Sequence, residues 1–229
     1  MDIFGQALLD YDQGDLDSKL WLHNDYGPPE EMPVDVFFRT ETEMPEMEVL
    51  ALSLCEGRIL DIGAGVGSHA LILQDKGFDV TALEISGTAC QIMKTRGVFK
   101  VVNADILQFS GDTFDTLLLL MNGIGLTGDL RGLSEFLDHA KTLLNPGGAL
   151  IFDSSDILYL YEDIPLPKDK YYGEIAYRYE YRAQSGDWFR WLYVDAELLR
   201  KIASEAGWQM ELLLEDAMDQ FLVRLKPVN

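Results

Sequence analysis

The sequence predicts an α/β protein built on a mostly parallel sheet with helices on both faces. Three observations carry this. From Arg58 onward, short apolar strand-like runs alternate with amphipathic helical stretches, the pattern of parallel strands joined by helical crossovers. The run Phe114 to Met121 is nearly all apolar, as a strand covered on both faces must be. The chain closes with two strand-like runs, Trp208 to Leu214 and Gln220 to Leu225, separated by a short turn. That spacing makes a hairpin, so the last pair is expected to be antiparallel.

The elements follow in order. Residues 1–56 are irregular and rich in acids, Met and Pro, with short helices suggested by Phe4, Leu8 and Leu9 and by Met44, Met47, Ala51 and Leu54. Arg58 to Ile62 reads as a strand ending in a Gly-rich turn, and Ser68 to Lys76 as a helix stopped by Gly77. Asp79 to Ile85 is a strand, Gly87 to Arg96 a helix, and Phe99 to Ala104 a third strand. Asp129 to Leu144 carries the clearest apolar stripe (Leu130, Leu133, Phe136, Leu137, Ala140, Leu143 and Leu144), and Asn145-Pro146-Gly147-Gly148 stops it before a strand from Ala149 to Asp153. Asp195 caps a helix that ends at Gly207. The segment 171–194 stands outside this alternation. Its Tyr177, Tyr179 and Tyr181 alternate with Arg178, Glu180 and Arg182, so it reads as an inserted aromatic β-hairpin that breaks at Gln184-Ser185-Gly186-Asp187. One domain is expected over 1–229, with 1–56 as an N-terminal cap segment.

Composition narrows the function classes. The 229 residues hold 39 Asp and Glu against 18 Lys and Arg, a net charge of −21. So acidic a chain is expected to avoid phosphate backbones and anionic lipid heads, hence no nucleic acid and no membrane as partners. Two isolated cysteines, Cys55 and Cys90, make neither a disulfide framework nor a zinc site, and no metal is expected. They fit a reducing compartment. The start lacks the basic and apolar regions of a secretion signal, so a cytoplasmic location is expected.

The chemistry concentrates around Asp61-Ile62-Gly63-Ala64-Gly65-Val66-Gly67. Glycines between a strand and a helix let a ligand approach the backbone and the helix N-terminus. A dinucleotide fingerprint would place a third glycine where Ser68 stands, and the carboxylate of Asp61 would repel a pyrophosphate. A cationic ligand would welcome it. Glu84 ends the second strand, where a carboxylate can accept both hydroxyls of a ribose, and Ile85 follows it. Asp105 ends the third, where it can accept a hydrogen bond from an adenine amino group while Ile106 flanks the ring. Each acid alone could be a helix cap; three in register with the turn mark a nucleoside site.

These residues resemble the class I S-adenosylmethionine-dependent methyltransferases. Ile59 to Gly67 looks like the family's first motif, Glu84 and Asp105 like its later acids, and Leu144 to Gly148 like its turn before the fifth strand. The resemblance implies a Rossmann-like seven-stranded sheet of order 3-2-1-4-5-7-6, with strand 7 antiparallel, and methyl transfer from S-adenosyl-L-methionine. It also implies that Met121 and Asn122, ending the fourth strand, lie near the transferred methyl. Arg39 is expected to hold the methionine carboxylate. Met121-Asn122-Gly123-Ile124-Gly125 lacks the prolines and aromatic residue of enzymes that methylate adenine or glutamine amino groups.

Methyl transfer from an activated cofactor asks mainly for positioning, and no catalytic residue stands out. His23 is a candidate base, and Asn122 either lines the site or caps a turn. His69 reads as helix surface. The expected activity is methyl transfer to a small molecule. Alternatives are a protein methyltransferase, an NAD(P)-dependent oxidoreductase and a non-catalytic S-adenosylmethionine-binding protein.

Overall fold

The computed structural model describes residues 2–228. In chain order the elements are α1 (Ile3–Asp12), β1 (Leu20–Asn24), β2 (Glu30–Met32), α2 (Glu46–Ser53), β3 (Arg58–Ile62), α3 (Ser68–Asp75), β4 (Asp79–Glu84), α4 (Gly87–Arg96) and β5 (Val101–Asn103). There follow β6 (Phe114–Leu119), α5 (Leu130–Thr142), β7 (Leu144–Ser155), β8 (Glu174–Tyr181), β9 (Gln184–Ser185), β10 (Phe189–Leu192), α6 (Ala196–Glu205), β11 (Trp208–Glu215) and β12 (Gln220–Pro227).

Seven strands form one sheet in the order β11-β12-β7-β6-β3-β4-β5. With β3 taken as strand 1, this is the expected order 3-2-1-4-5-7-6 read from the other edge. β4 pairs β5 and β6 pairs β7 in parallel. β12 runs antiparallel to both β7 and β11, with a register irregularity between Leu212 and Leu214. A second sheet, not anticipated from the sequence, has the order β10-β8-β1-β2, with β9 paired to β8.

The chain divides into two compact units. Unit one comprises Met1–Met44, Asp61–Phe109 and Ala176–Phe189; unit two comprises Pro45–Leu60, Ser110–Ile175 and Arg190–Asn229.

Unit two is held by strands buried on both faces. Leu117, Leu118 and Leu119 of β6 and Leu150 and Phe152 of β7 are fully buried, each contributing about 1.5–3 kcal/mol of transfer free energy. Of the stripe predicted from periodicity, Leu133, Phe136, Leu137, Ala140 and Leu143 are buried, while Leu130 and Leu144 at its two ends are half-buried. Asp129 caps that helix by accepting from Gly132 N, and Asp195 caps α6 by accepting from Glu197 N and Leu198 N. The strand expected from Ala149 begins five residues earlier, at Leu144. The cause is a bulge: Phe114 pairs Leu144 and Thr116 pairs Ala149, so Asn145 to Gly148 bow out of register. Asn145 Nδ2 donates to Asp115 Oδ1 at 2.8 Å and fixes the bow.

In unit one, α1 lays Ile3, Ala7 and Leu8 against Val66, Ala89 and Ile92 and against Leu20, Val34 and Tyr181 of the second sheet's surroundings. The aromatic segment differs from expectation in its turn. β8 reverses at Arg182 and Ala183, not at residues 184–187, and pairs Tyr181 with Gln184. Both turn residues have positive φ, 48° and 58°, the backbone of a two-residue hairpin that favours Asn and Gly. The favoured residues are absent, so the turn was invisible in the sequence. β8 also pairs antiparallel with β1, Leu22 opposite Tyr179. The aromatic segment and the N-terminal segment therefore share a sheet.

Candidate functional site

In unit one the Gly-rich loop runs from β3 into α3 with its backbone turned inward. Gly63 N and Ala64 N both donate to Leu83 O, at 2.9 and 3.0 Å. Gly67 has φ 84°, and a Cβ there would stand 2.7 Å from Val98 Cγ2; only glycine meets both demands. Arg96 Nη1 donates to Val66 O at 2.8 Å. Ser68, in the place of a third fingerprint glycine, donates its hydroxyl to Phe37 O at 2.6 Å.

Asp61 lies beneath this loop, 2 % exposed. Burial pushes its carboxyl up to about 6, opposed by the nearby charge of His69 and by a hydrogen bond from the Ala70 amide. Oδ2 is buried and accepts no hydrogen bond. His69 is itself buried, not on the helix surface, and is the charge closest in effect to Asp61.

Glu84, also buried, spans two backbone segments. Oε2 accepts from Gly65 N at 2.9 Å and Oε1 from Ser86 N at 2.8 Å. Burial raises its pKa against these two bonds. Its carboxylate is thereby locked at the loop rather than left to rotate. Asn103 Nδ2 supports the same corner by donating to Glu84 O and Ile85 O, both at 2.9 Å. Ile85 is 71 % exposed and Ile106 5 %. Asp105 is exposed, and one oxygen caps the turn after β5 by accepting from Leu107 N at 2.9 Å. The cap uses only one of its two oxygens.

Arg39 follows the segment pinned by Ser68. Phe37 approaches Gly65, its ring 3.9 Å from where a Cβ would stand. The structure thus brings Asp61, Gly63, Ala64, Gly65, Gly67 and Glu84 into one neighbourhood of unit one, with the segment that leads to Arg39 pinned to it at Phe37.

From Phe37 an aromatic row leads away from the loop. Phe37 meets Phe4 edge-on at 5.1 Å, Phe4 stacks on Tyr179 at 5.3 Å, and Tyr179 lies 5.0 Å from Phe189. The candidate base does not join it. His23 pairs across the sheet with Arg178, so it projects from the face opposite Tyr179, and Nε2 lies 2.8 Å from Glu180 Oε2. Alternation along β1, unread in the sequence, decides this.

Met121 and Asn122 lie in unit two, just past β6, and both are left-handed, φ 61° and 54°. Asn122 N donates to Asp153 Oδ2 at 2.8 Å and Nδ2 to Leu192 O at 3.2 Å, leaving Oδ1 buried without a donor. Consecutive non-glycine residues in the left-handed region cost on the order of 1–3 kcal/mol each, and such strain clusters at functional sites.

Sequence reasoning passed over Ser86, Asn103 and Phe37. Ser86 was findable as a helix cap, since Ser-Gly-Thr-Ala opens α4 and its hydroxyl accepts from Ala89 N at 3.0 Å. Asn103 and Phe37 act through contacts distant in sequence and leave no local signal. Among the described residues, no group of three or more His, Cys, Asp or Glu side chains is placed to hold a metal ion. No described helix is long and apolar enough to cross a membrane.

Known proteins carry the same design. Residues 40–213 match the family described as "Methyltransferase domain". A S-adenosylmethionine-dependent methyltransferase from Bacteroides fragilis, solved with S-adenosyl-L-homocysteine, is 37% identical, with a TM-score of 0.92 over 100% of this chain and 95% of its own. A 23S rRNA (uracil(747)-C(5))-methyltransferase of Pyrococcus horikoshii is 31% identical over 103 residues, 44% of this chain and 24% of that protein. A demethylmenaquinone methyltransferase of Tropheryma whipplei is 29% identical over 99 residues, 41% of this chain and 39% of that protein. The matches span less than half the length of these two curated relatives. Sheet order, glycine loop, acids and full-length likeness together make the chain a member of the class I S-adenosylmethionine-dependent methyltransferase family.

Proposed function

We propose that this enzyme transfers the methyl group of S-adenosyl-L-methionine to a small-molecule acceptor, and that Asp61, the loop Gly63 to Gly67, Glu84, Ile85, Asp105, Ile106 and Arg39 hold the cofactor. One observation carries the cofactor reading. Beneath the glycine loop, a buried oxygen of the Asp61 carboxylate lacks a hydrogen-bond donor. The amino-acid end of the cofactor offers an ammonium, a donor for that oxygen.

The bound cofactor supplies an activated methyl group. The chain's own residues do the rest. Asp61 receives the ammonium, and Arg39 the carboxylate. Glu84, fixed by Gly65 N and Ser86 N, accepts the ribose hydroxyls. Asp105 uses its free oxygen for the adenine amino group, with exposed Ile85 against the ring face. A nicotinamide dinucleotide fits less well, because its pyrophosphate would meet the Asp61 charge.

The small-molecule reading rests on the aromatic row from Phe37 to Phe189, which suits a flat or apolar acceptor better than a polyanion. The second sheet, built from the N-terminal segment and the aromatic insertion, belongs on this reading to the acceptor side.

Calorimetric titration tests the cofactor assignment. S-adenosylmethionine and S-adenosylhomocysteine are expected to bind, NAD and NADP not. Asp61→Asn and Arg39→Leu should each weaken S-adenosylhomocysteine about tenfold or more, the scale of one charged hydrogen bond. Unchanged affinity in both variants would remove the amino-acid clamp; binding of the nicotinamides alone would overturn the function.

A further inference from the structure

A continuous hydrogen-bonded relay joins the first helix to the glycine loop. Gly5 N donates to Asp2 Oδ1 at 2.8 Å, and Ser86 Oγ donates to Asp2 Oδ2 at 2.6 Å. Ser86 N donates to one oxygen of Glu84, and Gly65 N to the other. Asp2 thus caps α1 with one oxygen and grips the Ser86 hydroxyl with the other. That hydroxyl is occupied on both sides, since it also accepts from Ala89 N to cap α4.

The approach is tight enough to exclude a side chain at the crossing. A Cβ on Gly5 would stand 2.3 Å from Asp2 Oδ2 and 2.7 Å from Ser86 Oγ. Below the relay, Ile3, Ala7 and Leu8 of α1 pack with Val66 of the glycine loop and with Ala89 and Ile92 of α4. Helix, cap and loop therefore form one body within unit one.

A short helix with an apolar contact surface would dock through burial alone. A carboxylate brought to the residue two positions after Glu84 is a different matter, because it places like charges near one another. The arrangement persists because the Ser86 O–H stands between them as donor to one, while its backbone N–H serves the other.

We infer that Asp2 is a positioning residue for cofactor binding: through Ser86 it sets the Glu84 carboxylate toward the ribose, so that α1 docking and cofactor occupancy are one event. This rests on the assignment of Glu84 to the ribose. Loss of the relay leaves one Glu84 oxygen held by Gly65 N but lets the Ser86 corner, whose N–H holds the other, rotate. The ribose hydroxyls then meet a misplaced acceptor, while adenine and the amino-acid end keep their partners.

The test compares S-adenosylhomocysteine with its 2′-deoxyribose analogue by calorimetry, on the full chain. Asp2→Ser keeps a helix cap but is too short to reach Ser86. Ser86→Ala removes the hydroxyl from the other side. Wild-type protein should prefer the ribose ligand about tenfold, and both variants should lose most of that preference while binding the deoxy analogue nearly as before. Hydrogen exchange gives a second readout. Bound S-adenosylhomocysteine should slow exchange at the Gly5 amide in wild type and not in Ser86→Ala. Equal weakening of both ligands in the variants, or an unaltered ribose preference, overturns the relay and leaves the cofactor site standing. A wild-type protein that binds the two ligands alike removes the role of Glu84 as well.

Discussion

Asp61 carries a charge that its surroundings oppose until a cation arrives. Burial lifts its folded pKa to about 6, well above the ordinary carboxylate value, so folding favours the protonated form. The sign follows directly: the penalty for ionisation is fully present above pH 6 and disappears toward pH 4, so in the cofactor-free protein this group adds stability as pH falls through 6. The penalty is on the order of 3 kcal/mol. Asp61→Asn should therefore raise the melting temperature of the cofactor-free enzyme at pH 7 by several degrees, while weakening S-adenosylhomocysteine. Wild-type affinity for that ligand should also fall as pH drops below about 6, and the variant should be flat there. A melting temperature that drops in Asp61→Asn would show the carboxylate to be structural. The residue types of this site were legible in the sequence because acids at successive strand ends are a local pattern. His69 was not. Its place on α3 gave a surface reading, and only the strand beneath it makes it a neighbour of Asp61.

At the scale of elements, what could be read was what obeys a short period. The buried stripe of α5, the apolar β6 and the closing hairpin all repeat within a few residues. The second sheet does not: β1 finds β8 across more than 150 residues of chain, as Trp21 opposite Glu180 shows, and nothing local announces that pairing. Nor did the Arg182–Ala183 turn announce itself. Arg182 has a reason to be there, since it pairs with Asp10 at 2.9 Å and with Asp15. Ala183 has none in the structure, and its φ of 58° costs an L-residue about 1 kcal/mol. Ala183→Gly is thus expected to stabilise the protein by up to about 1 kcal/mol, read as a shift in the denaturant midpoint. The same change at Arg182 should lose stability, because the ion pairs go with it.

For the whole molecule the dominant fact is charge. With 39 acids to 18 bases, self-repulsion acts on the folded chain at low ionic strength, and salt screens it within about 10 Å at 0.1 M. The melting temperature should rise on going from very low salt to physiological ionic strength. A fall would mean that ion pairs such as Arg224 with Glu211 outweigh the net repulsion. Composition made this property plain before any fold was known, whereas the division into two units came only with the contacts.

Three of the four tryptophans, Trp208, Trp21 and Trp188, give the enzyme its own optical labels. Trp208 is 2 % exposed and donates its indole N–H to Leu137 O in unit two, while in unit one Trp21 on β1 and Trp188 just before β10 are 37 % and 52 % exposed. The first should emit toward the blue and resist iodide; the other two should emit toward the red and be quenched. Unfolding of the α5 core and loosening of the aromatic sheet would then appear as separate changes in one emission spectrum, with no dye attached.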